Sequence, residues 1–170
     1  MILFLFMAAG CATTKKIWTS QPEVQKAANP SYEARLEPIT LGHHFFVMFK
    51  LEITNNTDKN LEIDWNQTRY LYNGRSHGVF VFKGIDPKSV KNAIPPDIIP
   101  PGVTFSKEIA PLKLVAWAPI KDKSVKAGQR GISPGVLPVG QNGIFLVLIQ
   151  DGKKIVAKMT VKITEKEIVP

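Results

Sequence analysis

Three histidines, two alternating carboxylates and one cysteine are the side chains here whose types and spacing could do chemistry. His43 and His44 are neighbours, and successive strand residues point to opposite faces, so the pair cannot chelate one metal without a bulge. His77 stands in a Gly-x-x-His turn without the thiolate or carboxylate company of a zinc site. Glu62 and Asp64 share one strand face, a spacing open to acid–base work. The same alternation arises on any solvated strand face. No P-loop, His-Glu-x-x-His or dinucleotide fingerprint is present. The expectation is a chain with no catalytic residue, no metal ligand and no cofactor, and not an enzyme.

Cys11 is the only cysteine in 170 residues, so no disulfide framework forms within the chain. Its setting is informative. The lead MILFLFMAAG carries no charged side chain, and Thr13, Thr14, Lys15 and Lys16 follow the cysteine. A signal peptide places an apolar stretch of roughly 7–15 residues before a small-residue cleavage site. Ala9, Gly10 and Cys11 in that order resemble the lipobox of bacterial lipoproteins, where cleavage falls just before a cysteine that carries the lipid. Two features depart from that pattern: Ala8 stands where Leu is usual, and no Lys or Arg precedes the apolar run. A start upstream of Met1 would account for the second. The competing reading is a buried N-terminal strand with a free thiol.

The lipobox resemblance implies Cys11 as the acylated residue and membrane attachment through it. Each buried CH₂ of an acyl chain contributes about 0.8 kcal/mol, and stable anchoring takes two signals. Ala12, rather than Asp, follows the cysteine. By likeness to enterobacterial envelopes this implies the periplasmic side of the outer membrane.

The elements that must position such residues follow from periodicity. Residues 1–10 read as signal peptide and 11–30 as a lipid-anchored polar tether, with at most a helical turn near Glu23–Ala28. Residues 31–170 read as the folded domain. Phe45, Val47, Phe49, Leu51 and Ile53 alternate with polar residues, as a strand with one buried face requires. Asn55–Asn60 reads as a turn, and Leu61, Ile63 and Trp65 resume the alternation, so the spacing predicts a hairpin. Thr68–Tyr72, the turn pair Asn73-Gly74 and Gly78–Lys83 predict a second hairpin. Val103–Ile109 and Lys113–Trp117 read as short strands. Ile144–Ile149 is a continuous apolar run, and Asp151-Gly152 turns into a last strand over Lys154–Thr164. These short strands with turn signals between them predict an all-β, Ig-like β-sandwich of about seven or eight strands. Without a Cys…Trp…Cys spacing it is not an antibody-type domain. Trp65 is expected to plug the core.

The stretch LEITNNTDKNLEIDWNQTRYLYNGRSHGV, followed by IPPDIIPPG, resembles a group of poorly characterised bacterial envelope lipoproteins. The shared features are Asn55–Asp58, Asp64-Trp65, Gly74–His77 and Ile99–Gly102, within residues 45–110. The resemblance implies an Ig-like sandwich in the cell envelope and carries over no catalytic residue.

The formal net charge is +8, which favours anionic partners. No aromatic-basic motif accompanies the basic residues, so no nucleic-acid partner is expected. The reading is a lipid-anchored, non-catalytic interaction module whose partners are the membrane, through the lipid, and an envelope protein. The loops at 84–102 and 119–143 are its candidate recognition elements. The alternative is a basic module that binds anionic polysaccharide or lipid headgroups directly. That reading needs Lys121, Lys123, Lys126 and Arg130 to share a face with Lys153 or Lys154.

Overall fold

The computed structural model describes residues 15–82, 93–115 and 134–168. Two antiparallel sheets pack face to face. The first runs β1 (Lys15–Gln21), β12 (Lys153–Ile168), β11 (Gly140–Gln150), β5 (Leu61–Ile63) and β9 (Asp97–Ile99). Alongside β11 lies β6 (Arg69–Tyr72), which pairs in turn with β7 (Arg75–Ser76). The second sheet runs β2 (Gln25–Asn29), β3 (Tyr32–Ile39), β4 (Met48–Asn55), β10 (Thr104–Pro111) and β8 (Phe80–Val81). A short 3-10 turn, Leu112–Leu114, follows β10.

The order β3-β4-β10-β8 against β12-β11-β5/β6 has the A-B-E-D and G-F-C arrangement of an Ig-like sandwich. The architecture is therefore all-β and Ig-like, with β1, β2, β7 and β9 added to the common core.

Strand alternation builds the core. Phe49, Leu51 and Ile53 of β4 are fully buried, while Lys50, Glu52 and Thr54 are half-exposed on the outer face. In β12, Ala157, Met159, Val161 and Ile163 are buried between exposed Lys158 and Lys162. Edge-to-face rings link the sheets: Tyr70 meets Phe80 at 6.0 Å between centroids, and Phe80 meets Phe49 at 6.5 Å. Gly143 lets β11 and β12 approach closely, since a Cβ there would lie 2.1 Å from the Met159 carbonyl oxygen.

Between β5 and β6 the chain leaves the ladder yet stays bonded to β11. The Asp64 amide donates to the Val147 carbonyl at 3.0 Å, and the Val147 amide donates to Thr68 Oγ1 at 3.1 Å. A buried hydroxyl here takes the place of a strand carbonyl, so the Val147 amide keeps a partner.

Both predicted two-residue turns are present. Asn73-Gly74 and Asp151-Gly152 have positive φ at both residues (46° and 78°; 51° and 73°), as tight hairpins require. Four expectations need correction. The stretch expected as a tether contains β1 and β2, so the sandwich begins at Lys15 rather than at residue 31. The turn Asn55–Asn60 does not close a hairpin, because β4 and β5 lie in different sheets and the turn crosses between them. The partner of β6 is β7, only Arg75–Ser76; Phe80–Val81, expected there, pairs with β10 in the other sheet. Finally, of the strand expected over Lys113–Trp117, the described start falls in the 3-10 turn Leu112–Leu114, and residues 116–117 lie outside the described residues.

Candidate functional site

Cys11, Lys121, Lys123, Lys126 and Arg130 lie outside the described residues. Lys153 and Lys154 open β12 and are exposed. His43 and His44 sit in an exposed turn before β4, where the His43 ring stacks on Phe45 at 5.0 Å. His77 packs edge-on against Tyr70 and Tyr72. Among the described residues no three His, Cys, Asp or Glu side chains gather as a metal site would require. Asp64 accepts from the Gln67 amide at 3.0 Å and from Gln67 Nε2 at 2.5 Å, so it closes the turn after β5. Glu62 and Asp64 do share the outer face of the first sheet.

A serine must be added to the candidates. Gly131-Ile132-Ser133-Pro134-Gly135 matches Gly-x-Ser-x-Gly, the nucleophile-elbow pattern. That chemistry needs a strand, a sharp turn and a helix. Residues 131–133 lie outside the described residues; from Pro134 the chain runs through buried Leu137 into strand β11, not into a helix.

Two of the stretches singled out above, Asn55–Asp58 and Ile99–Gly102, meet in space, and the interactions they make are structural. Buried Asn55 donates from Nδ2 to the carbonyls of Lys59 (2.7 Å) and Ile99 (2.9 Å). Its Oδ1 accepts from the Thr57 amide and hydroxyl. Its carbonyl accepts from Gly102 N at 2.9 Å, and its amide donates to Val103 O at 3.0 Å. One side chain thereby joins the end of β4 to the Ile99–Gly102 step. Asn66 fixes the same segment further upstream, exchanging hydrogen bonds with the backbone of Ile94. Of the recognition loop expected at 84–102, the described part is thus pinned to the body.

Trp65 is the core plug expected of it, 1% exposed. Its Nε1 donates to Asp97 Oδ2 at 2.7 Å, and Lys107 Nζ donates to the same oxygen. The ammonium of Lys107 also lies 3.9 Å from the Phe82 ring centroid, 5.4 Å from Phe105 and 5.6 Å from Trp65. Lys107 occupies an inward position of β10, between Phe105 and buried Ile109. Among the described residues β10 pairs beyond β4 only at Ala110 and Pro111. An inward-facing lysine near a sheet edge discourages pairing with another chain. The signal was visible as one lysine within an alternating apolar set.

The two outer faces differ in charge. On the second sheet, Lys26, Arg35 and Lys50 are interleaved with Glu33, Glu37, Glu52 and Glu108. Lys50 Nζ lies 2.7 Å from Glu52 and its hydrogen bond holds that carboxyl below its ordinary range. On the first sheet, β12 presents Lys154, Lys158, Lys162 and Lys166 at four-residue steps, and Phe145 of β11 lies between Lys158 on one side and Arg69 of β6 on the other. Lys158, Lys162 and Lys166 make no ion pair among the described residues. The carboxylates of this face, Glu62 and Asp64, lie at the β5 side, near Lys154, which donates to the Gln67 side chain that also bonds Asp64, and away from Lys158, Lys162 and Lys166. Between the cations Val156 is 51% exposed, Ile17 37% and Phe145 36%. The face is thus basic with apolar residues set into it, and a positive field attracts anions.

No family model, curated protein or solved structure matches this chain.

Proposed function

We propose that this protein is a lipid-anchored, non-catalytic interaction module of a bacterial cell envelope, acylated at Cys11, that engages an anionic partner with the outer face of its β1-β12-β11 sheet. The observation that carries the reading is the segregation of charge: among the described residues one face presents Lys158, Lys162 and Lys166 with no ion pair, while on the other three cations are interleaved with four carboxylates. Exposed Phe145 and Val156, set between those lysines, add apolar contact to the charge. The anchor fits the same arrangement, because β1 follows Cys11 closely and forms the edge of the charged sheet.

The experiment is fractionation of cells expressing the full chain with a labelled fatty acid. Wild type is expected to incorporate label and sediment with membranes, and Cys11→Ser to do neither. A Cys11→Ser chain that still incorporates the label at the wild-type level overturns the anchor. Purification from membranes then compares wild type with Lys158→Gln/Lys162→Gln/Lys166→Gln. The face reading expects anionic material to co-purify with wild type alone; equal recovery with both overturns it.

A further inference from the structure

Resting on that reading, the geometry points to a specific partner for the basic face: the anionic lipid headgroups of the bilayer that holds the anchor. We infer that the sandwich lies with its β1-β12-β11 face down on the membrane rather than standing off on a tether.

Three observations carry this. First, β1 begins at Lys15, so four peptide steps separate Cys11 from the first strand residue. Fully extended, they span roughly 14 Å. Second, Lys15 pairs with Ile168, so the anchored end of β1 lies beside the terminal turn of the lysine row, at Lys166. From there Lys162, Lys158 and Lys154 continue along β12, a row of about 40 Å at the rise of an extended strand. Third, Lys158, Lys162 and Lys166 make no ion pair among the described residues, Lys154 donates only to the neutral Gln67 side chain, and the row faces outward together with Ile17, Phe145 and Val156. Long lysine stems can lie along such apolar residues with their ammonium groups among phosphates.

Charge decides between the two faces the sandwich could offer. The second sheet's outer face carries four carboxylates against three cations, and an anionic surface would repel it. The first sheet's face carries five cations against two carboxylates, and the carboxylates sit furthest from the anchored edge. A short link at one end of a basic row gives one orientation. A soluble anionic polysaccharide would meet the same charges, but nothing in its recognition requires the row to begin at the anchor.

The test uses the full chain carrying Cys11→Ser, so that the face acts without the acyl chain. Co-sedimentation is measured with phosphatidylcholine vesicles, with and without phosphatidylglycerol. Binding is expected only where phosphatidylglycerol is present, and it should weaken as salt rises. Each lysine near an anionic surface is worth roughly five-fold in partition, so Lys158→Gln/Lys162→Gln/Lys166→Gln should lose on the order of a hundred-fold. Lys26→Gln/Arg35→Gln/Lys50→Gln, on the opposite face, should leave partition unchanged. Circular dichroism checks that each variant is folded; all six positions are at the surface. Equal binding to neutral vesicles overturns the inference, as does equal loss in the two variants. Binding to soluble dextran sulfate with none to phosphatidylglycerol vesicles also overturns it, in favour of a polysaccharide partner. Failure of the anchor would show separately, as absent fatty-acid incorporation at Cys11.

Discussion

The indole Nε1 of Trp65 donates to Oδ2 of Asp97 at 2.7 Å, and that bond ties the end of β5 to the edge strand β9. Lys107 approaches the same carboxylate from the opposite sheet, so one acceptor serves donors from both layers. The side chains of Lys107 and Asp97 are 23% and 28% exposed, which places the pair between a surface ion pair and a buried one. Removing one partner would leave the other half-desolvated against aromatic rings. Asp97→Ala and Lys107→Met are each expected to destabilise the fold, Asp97→Ala by about 2–3 kcal/mol because it also orphans the Trp65 donor. The double variant should cost less than the sum by about 1–2 kcal/mol. Urea denaturation of all four proteins measures this coupling, and strict additivity would show that the two residues act independently.

Asn55 is the second place where one side chain holds both layers. Its four polar contacts serve the β4 terminus, its own loop and the carbonyl of Ile99 in the first sheet. Asn55→Ala would strip buried donors and acceptors of partners, at an expected cost of about 2–4 kcal/mol. Asn56 is exposed beside it, and Asn56→Ala is expected to fall within about 0.5 kcal/mol of wild type. Thermal denaturation of the pair separates the buried role from the turn composition; equal melting temperatures would contradict it.

How much of this was legible in the chain depended on whether the signal was local. The alternation of Ala157, Met159, Val161 and Ile163 gave β12 its inner face, and Asp151-Gly152 gave the turn before it, because both are properties of adjacent residues. The polar run Asn55–Asn60 reads identically whether it closes a hairpin or crosses between sheets. What decides is the pairing of Ile63 with Leu148, 85 positions away, and no local pattern encodes that. Strands β1 and β2 were missed for another reason. KKIWTSQ and QKAAN are sheet edges whose polar residues hide the alternation, and only the pairing of Trp18 with Glu165 and of Ala27 with Ala34 shows them as strands. The lysine row was readable residue by residue, as Lys158 and Lys162 facing out. Its extent to Lys154 and Lys166, and its nearness to the anchored edge, needed the full length of β12 and its register with β1.

Gly143 tests the close approach of β11 to β12. A methyl group there would meet the Met159 carbonyl oxygen at 2.1 Å and Thr160 Cα at 2.8 Å, both backbone atoms that cannot swing aside. Gly143→Ala is therefore expected to destabilise by about 2–3 kcal/mol, as overpacking of a tight core does. Gly152, at the exposed hairpin turn, has no atom within 4 Å of the added methyl. Gly152→Ala meets only the strain of its φ of 73°, about 1 kcal/mol. Denaturant midpoints that rank the two in the reverse order would refute the packing argument.

Alkaline stability isolates a buried hydroxyl. Tyr70 is 2% exposed and donates from its hydroxyl to Oδ1 of Asn142 at 2.5 Å. Asn142 is itself held by the carbonyls of Pro138 and Gly140, so its Oδ1 stays aimed at Tyr70. Burial pushes the Tyr70 hydroxyl well above its ordinary value of 10.0, with a smaller contribution from Tyr72. Because the raised value belongs to the folded state, the stability it reflects is fully present below pH 10 and is lost as pH rises through the folded value. In that window the unfolded chain releases the proton while the folded chain retains it, which favours unfolding by about 1.4 kcal/mol per pH unit. Wild type should therefore unfold progressively above pH 10. Tyr70→Phe loses the hydrogen bond to Asn142 and starts less stable at neutral pH by about 1–2 kcal/mol. It should nevertheless show a shallower decline above pH 10, because the titrating group is gone. Urea midpoints at neutral pH and above pH 10, for both proteins, read the two slopes; parallel declines would show that the alkaline transition is set elsewhere in the chain.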